Sequence, residues 1–197
     1  MDKSELRRLK IRERRAMPPD EKKERSQSIA EQVFALDDYK RCDTLLCFVS
    51  TQIEVDTSAI IERAFADGKK VAAPRCEDKN GHMNFYYIES TDDLETAAFG
   101  IFEPKKHCRK AERFERALCV VPALTFTETG YRLGFGKGYY DRFLSGFSGV
   151  SCGVIFDSDI TDELPTDRFD CPVMIVACET RTIFTDKYAP VGKGKET

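Results

Sequence analysis

Residues 117–144 read A-L-C-V-V-P-A-L-T-F-T-E-T-G-Y-R-L-G-F-G-K-G-Y-Y-D-R-F-L, and this stretch decides the fold class. Ala117 to Val121 is an unbroken apolar run closed by Pro122, the pattern of a strand covered on both faces. A glycine-rich loop follows, and a helix is predicted from about Gly138 to Leu144. Strand, loop and helix in that order are the unit of an α/β protein. Three glycines at alternate positions, 134, 136 and 138, let backbone N–H groups approach an anion closely. The helix N-terminus adds a partial positive charge and Arg132 and Lys137 add full ones, so the loop suits a di- or triphosphate. It is neither a Walker A loop, because Tyr131 and Gly138 stand where Gly and Ser/Thr are required, nor the dinucleotide G-x-G-x-x-G. As a bare pattern, a glycine-rich surface turn would satisfy it equally well.

Working outward, residues 1–15 carry seven basic and three acidic side chains. Leu6 and Leu9 mark this segment as a helix that ends before Pro18-Pro19. Lys3 and Arg7 fall on one face by their i, i+4 spacing, and Arg8, Lys10 and Arg12 are expected in solvent. A second helix is predicted from an Asp20 cap to Leu36, with Ile29 and Val33 facing inward. Thr44 to Val49 reads as a buried strand. Asp56-Thr57-Ser58 can open a helix carrying Ile60, Ile61, Ala64 and Phe65, which Gly68 stops. Lys70 to Ala73 is the next strand, ending before Pro74, and the β-α-β order implies parallel pairing. Met83 to Ile88, Gly149 to Phe156 and Pro172 to Ala177 are further strands. Between them lie a short helix near Asp93 and a turn at Gly100. The tail from Tyr188 is expected to fray. The prediction is one domain over 1–197, a three-layer α/β/α fold with a mainly parallel or mixed central sheet.

The chain has 197 residues and a net charge of −3, and 41% of it is apolar. That is enough for one core, too apolar for disorder, and not basic enough for a general nucleic-acid coat. No apolar run approaches the ~20 residues that span a bilayer, and the charged N-terminus is not a signal peptide. Eight cysteines occur without a C-x-x-C pair, and four (Cys47, Cys119, Cys152, Cys178) lie in apolar runs. They read as reduced thiols of a cytoplasmic protein. The two histidines, His82 and His107, have no ligand spacing, so neither a metal site nor a triad is built on them.

The stretch from Val121-Pro122-Ala123-Leu124-Thr125-Phe126 through Gly130 to Leu144 resembles the 5-formyltetrahydrofolate cyclo-ligase family. So do Lys3-Ser4-Glu5-Leu6-Arg7, Ser50 with Glu54-Val55-Asp56-Thr57, Lys70 to Arg75, Gly100 to Pro104 and Leu164-Pro165 with Phe169-Asp170. The resemblance covers nearly the whole chain in one order. It implies conversion of 5-formyltetrahydrofolate to 5,10-methenyltetrahydrofolate, with ATP cleaved to ADP and phosphate, through phosphorylation of the formyl oxygen. Such chemistry needs positioning and charge neutralisation rather than a protein nucleophile.

By the same resemblance, ATP lies against Lys3, Ser4, Glu5, Leu6 and Arg7. It is wrapped by Arg132, Leu133, Gly134, Phe135, Gly136, Lys137, Gly138, Tyr139 and Tyr140. Lys137, Arg132 and Tyr139 are the implied catalytic residues. Asp141 and Asp170 are the implied Mg2+ carboxylates. Val49, Glu54 and Phe135 to Tyr139 line the folate, with Glu54 facing pterin N–H donors. The partner is this small molecule and not nucleic acid or membrane, and the expected state is a monomer. The sequence departs from the family at Phe169, where histidine is frequent, at Lys137, where many members have glycine, and at Ser158-Asp159, near a common glutamine. A small-molecule kinase and a basic RNA-binding module remain the rival readings.

Overall fold

The structure is a computed structural model that describes residues 2–78, 80–97 and 100–189. Asp2 opens the first helix, α1 (Lys3–Ala16), with a capping box. Its carboxylate accepts from the Ser4 and Glu5 N–H groups at 2.7 and 2.8 Å, and Glu5 accepts back from the Asp2 N–H at 3.0 Å. The helix stops before Pro18 as predicted. Helix α2 (Pro19–Ala35) has Pro18 at its cap position, two residues before the Asp20 cap predicted. Pro19 takes the first helical position, where its missing N–H is not needed, and Asp20 sits in the first turn. A short α3 (Asp37–Arg41) follows, which hydrophobic periodicity did not reveal.

Strand β1 (Thr44–Cys47), helix α4 (Ser58–Ala66) and strand β2 (Lys70–Cys76) form the first crossover unit. Gly68, at φ 71°, ends the α4 segment in the left-handed conformation. β2 runs on past Pro74, contrary to the sequence expectation. Its register with β1 ends at Leu46–Ala72, so beyond that point it pairs only with β3 (Met83–Ile88), and the missing proline N–H removes nothing from the β1 ladder. The remaining strands are β4 (Leu94–Thr96), β5 (Phe102–Pro104), β6 (Ala117–Val121), β7 (Thr125–Phe126), β8 (Arg132–Leu133), β9 (Val150–Val154), β10 (Ile175–Ala177) and β11 (Thr182–Phe184). The last helix is α5 (Tyr139–Ser145).

Seven strands form one mixed sheet in the order β11-β10-β9-β6-β1-β2-β3. The five central strands are parallel, and β3 and β11 close the edges antiparallel. The central runs lack alternation because both faces are covered. On one face Leu45, Val71, Leu118 and Val150 pack with Ile29, Val33 and Ile60 of α2 and α4. On the other, Leu46, Ala72, Cys119 and Val176 pack with Phe85, Phe126 and Leu144. β1 neighbours β2 on one side and β6 on the other, so the strand order reverses there. Ligands of open α/β sheets bind in the crevice at the carboxyl ends of such strands.

Cys47, Cys119, Cys152 and Cys178 are free and buried, as their runs predicted. The tail is anchored further than expected. The Tyr188 hydroxyl donates to Asp38 Oδ2 at 2.8 Å and its ring packs on Phe184. Residues 190–197 lie outside the described part.

Candidate functional site

Three segments distant in sequence meet at the glycine loop. Lys3 donates to Asp170 Oδ2 at 2.9 Å and lies 3.6 Å from Asp167. Arg7 Nε donates to the Gly134 carbonyl at 2.9 Å. The two cations predicted to share a helix face therefore do, and that face is turned to the loop and to the 167–171 segment. Gly136 and Gly138 adopt φ 96° and 70°, so their lack of a side chain is a backbone requirement, one that Gly134 does not share. A Cβ at Gly136 would also stand 3.3 Å from the Arg7 guanidinium carbon. Phe135, Gly136 and Lys137 are exposed. The loop is pinned from behind. Arg142 donates to the Lys137 carbonyl at 2.9 Å, and the Tyr139 hydroxyl donates to the Asp78 carbonyl at 3.0 Å.

The two candidate metal carboxylates belong to one knot. Asp141 Oδ1 accepts from Arg132 Nη2 at 2.8 Å and from the Cys171 N–H at 3.1 Å. Arg132 Nη1 donates to the Cys171 carbonyl at 2.5 Å. Asp170, the residue before Cys171, directs Oδ2 to Lys3 and to the Asp167 N–H at 2.9 Å. One oxygen of each carboxylate is thus held by the protein. Arg132 is buried, its side chain 4% exposed, so its charge neutralises Asp141 from beneath the loop. Removing the carboxylate leaves a buried guanidinium without its counter-ion.

Glu54 lies in different surroundings, in the turn after β1 that follows the half-buried Val49. It is buried, and its Oε2 accepts from both the N–H and the hydroxyl of Thr51 at 2.8 Å. Burial pushes its carboxyl above the usual glutamate range, against the opposing pull of the Thr51 bonds and of Arg14 and Lys22. The turn is fixed by those same cations. Lys22 donates to the carbonyls of Thr51 and Gln52, and Arg14 to that of Ile53.

Arg14 and Asp159 are the residues that the sequence reading missed. Arg14 Nε donates to Asp159 Oδ2 at 2.6 Å and both side chains are nearly inaccessible, at 2% and 5%. The guanidinium also stacks over Phe156 at 4.7 Å. Lys10, expected in solvent with Arg8 and Arg12, instead pairs with Asp159 Oδ1 at 3.0 Å. Burial lowers its pKa, but Asp159 and Glu13 outweigh that and raise it overall. Arg8 and Arg12 are exposed as expected. The available signal was the spacing of Lys3, Arg7, Lys10 and Arg14, four cations on one helical stripe. A cleft of about 540 Å³ lies beside this network, lined by Lys10, Glu13, Arg14, Met17 and Asp159.

Tyr140 follows Tyr139 on α5 but points elsewhere. Its ring meets Phe85 edge-on at 6.4 Å. Its hydroxyl is buried and has no hydrogen-bond partner among the described residues. The histidines pair with carboxylates, His82 with Asp78 and His107 with Asp93. Asp93, His107 and Cys108 each bring one ligand atom to within 4.8 Å of the others, a grouping that sequence spacing did not suggest. Among the described residues no helix is long and apolar enough to cross a membrane.

Comparison with known proteins places this geometry in a family context. The model of the 5-formyltetrahydrofolate cyclo-ligase family matches residues 1–179. A probable 5-formyltetrahydrofolate cyclo-ligase of Schizosaccharomyces pombe is 36% identical over 121 residues, covering 60% of this chain and 59% of that protein. The 5-formyltetrahydrofolate cyclo-ligase of Escherichia coli is 28% identical over 173 residues, 85% of this chain and 95% of that one. The solved structure of 5,10-methenyltetrahydrofolate synthetase from Aquifex aeolicus superposes with a TM-score of 0.83 at 27% identity, covering 100% of this chain and 99% of that one.

Proposed function

This chain belongs to the 5-formyltetrahydrofolate cyclo-ligase family, and from that premise we propose that it converts 5-formyltetrahydrofolate and ATP to 5,10-methenyltetrahydrofolate, ADP and phosphate. The formyl oxygen attacks the γ-phosphorus and the β–γ bridging bond breaks, leaving ADP. N10 then attacks the formyl carbon and loses its proton, and the former formyl oxygen departs within inorganic phosphate. The single observation that carries the reading is the meeting of Lys3 and Arg7 with the glycine loop and with Asp170, which surrounds an exposed backbone cradle with cations and carboxylates.

The residues divide the work by position. Lys3 and Arg7, with Ser4, Glu5 and Leu6 between them, approach the nucleotide from α1. Residues Arg132 to Tyr140 wrap its phosphates. Lys137, exposed at the tip, is the point charge on the transferring group. Arg132 and Tyr139 act by holding: one fixes Asp141, the other ties the loop to Asp78. Asp141 and Asp170 are hard oxygen donors, each oriented through one oxygen, and so suit Mg2+. A magnesium ion bound there would neutralise phosphate oxygens. Glu54 accepts from the pterin N–H edge, beside Val49 and the aromatic faces of Phe135 and Tyr139. The burial of Glu54, which raises its pKa, supports a ligand role, since a bound donor pair would offset the cost of its charge. The same reading makes residues 1–197 one domain, working as a monomer in the cytoplasm.

The test is the absorbance of the methenyl product in the presence of purified protein, 5-formyltetrahydrofolate and Mg-ATP. A rise that requires both ATP and magnesium, matched mole for mole by inorganic phosphate, is expected. ATP consumption without free phosphate would mean a kinase that leaves its product phosphorylated. Nucleotide binding without any absorbance change would sink the folate assignment.

A further inference from the structure

Asp93 ends a short 3-10 turn, Thr91–Asp93, and directly precedes β4, whereas His107 and Cys108 follow β5 in a turn of their own. The base of the β4–β5 hairpin is closed by the Lys105 N–H, which donates to the Asp93 carbonyl at 2.8 Å. That closure brings three donors of different chemistry together. His107 Nε2 lies 3.2 Å from Asp93 Oδ1, and the imidazole nitrogen, the carboxylate oxygen and the Cys108 sulfur all fall within 4.8 Å of one another. Asp93 stands 14 residues before His107, so a spacing rule that gives His107 no ligand role does not see the grouping.

The separations approach those of a coordination shell. Donors around a tetrahedral zinc ion stand about 3.3–3.6 Å apart, so the Asp93–His107 pair is near its place and Cys108 Sγ has to close by roughly 1 Å. The donors are also held as ligands are held. Asp93 Oδ2 accepts from the Glu89 N–H at 2.7 Å, while Oδ1 faces His107. Cys108 is buried, its N–H donates to the Lys105 carbonyl at 3.0 Å, and its Sγ lies 3.8 Å from the Asp93 carbonyl. The neighbouring cations are turned to backbone carbonyls, Lys105 Nζ to Asp92 at 2.7 Å and Arg75 Nη1 to Lys105 at 3.3 Å. The His107 side chain is 67% exposed, which gives an ion a way in and leaves a fourth position for water.

We propose that Asp93, His107 and Cys108 form a site for a zinc-type divalent cation that staples the base of the β4–β5 hairpin. One sulfur, one nitrogen and one oxygen are the donor set of a borderline-soft ion and not of magnesium or calcium, which take oxygen ligands. On binding, the Cys108 thiol proton passes to solvent, and His107 turns the lone pair of Nε2 to the ion with its ring proton on Nδ1. The ion then joins residue 93 to residues 107 and 108 across the two ends of the hairpin. None of the three belongs to the nucleotide, folate or magnesium residues, so the inference stands apart from the folate reading.

The probes are Zn2+ and Co2+, added to the reduced protein with Mg2+ in excess to occupy carboxylate sites. Calorimetry should show one Zn2+ per chain, and Co2+ should give the near-ultraviolet band of a thiolate–metal bond. Cys108→Ser is expected to abolish that band, and Cys76→Ser, which replaces an exposed cysteine, to keep it. His107→Ala removes an exposed side chain and should fold. It is expected to weaken Zn2+ binding at least about tenfold, the lower end of what losing even an outer partner of a ligand costs. Zn2+ should raise the melting temperature of wild type and not that of His107→Ala. Absence of the cobalt band, a band that survives Cys108→Ser, or equal Zn2+ affinity in wild type and His107→Ala would overturn the proposal and make any bound zinc an adventitious ion only. Should Cys108→Ser not fold, His107→Ala decides the matter through calorimetry and the melting temperature.

Discussion

Lys3 and Arg7 on the first half of α1 and Lys10 and Arg14 on the second lie on one stripe, yet their surroundings differ. The Lys3 side chain is 30% exposed and bonds to Asp170, itself a ligand candidate. The Arg14 side chain is 2% exposed and is committed to Asp159 and to backbone carbonyls beyond β1 and β6. The first half holds bonds that an incoming phosphate could replace. At the heart of the second half, the Arg14–Asp159 bond joins two side chains that are nearly inaccessible. Burial, not residue type, separates a cation that a ligand could reach from an anchoring one. The anchor and the more exposed half that lies over the loop are carried by the same helix.

That contrast can be broken at several points. The largest effect is expected from Arg14→Ala, which leaves Asp159 buried with only Lys10 and should cost about 3–5 kcal/mol by denaturant unfolding. A loss below about 1 kcal/mol would show that the network does not anchor α1. Lys137→Ala should lower turnover by about 10²–10³-fold, the usual effect of deleting one charge-stabilising donor, with unfolding unchanged because the residue is exposed. Near-normal turnover would remove Lys137 from the chemistry.

Asp141 sharpens the comparison because it belongs to both classes. Asp141→Ala should lose stability as well as activity, by about 2–3 kcal/mol, since buried Arg132 loses its partner. Asp141→Asn should recover most of that stability and none of the magnesium-dependent turnover. Equal unfolding midpoints for Asn, Ala and wild type would contradict the knot. Glu54→Gln should weaken folate binding about tenfold and spare nucleotide binding, while the empty protein becomes slightly more stable, since a charge that burial disfavours is gone.

The smallest effect is in pH. The folded-state pKa of Glu54 lies above its unfolded value, so the native protein holds that proton more tightly. Its contribution to stability is present in acid and is lost as pH rises through the raised pKa. Folate binding needs the charged form and should therefore fall as pH drops through that same value. A folate affinity flat across this window, measured against Glu54→Gln as control, would show that Glu54 does not face the pterin.

The strands were legible because their apolar runs are local and continuous: Met83–Ile88 and Ala117–Val121 lie where hydrophobicity put them, and Thr44–Cys47 starts as expected but ends two residues short of Val49. β7, β8 and β11 were not, since strands of two or three residues carry too little pattern to be distinguished from loop. The glycines of the loop were legible, and positive φ at 136 and 138 gives two of them a backbone reason. The stripe on α1 was half legible. Spacing put Lys3 and Arg7 together, but nothing near Arg14 in the chain points to Asp159.

The sequence by itself determined the α/β order, the position of the glycine loop ahead of α5, and the backbone freedom of that loop, because periodicity, glycine freedom and proline stops act over a few residues. Only the tertiary structure decided which cations are buried, that Arg132 serves Asp141 from beneath the loop, and that Tyr139 and Tyr140 face different ways. Those outcomes depend on desolvation, and the water that a side chain loses is set by the elements packed across the sheet from it rather than by its neighbours in the chain.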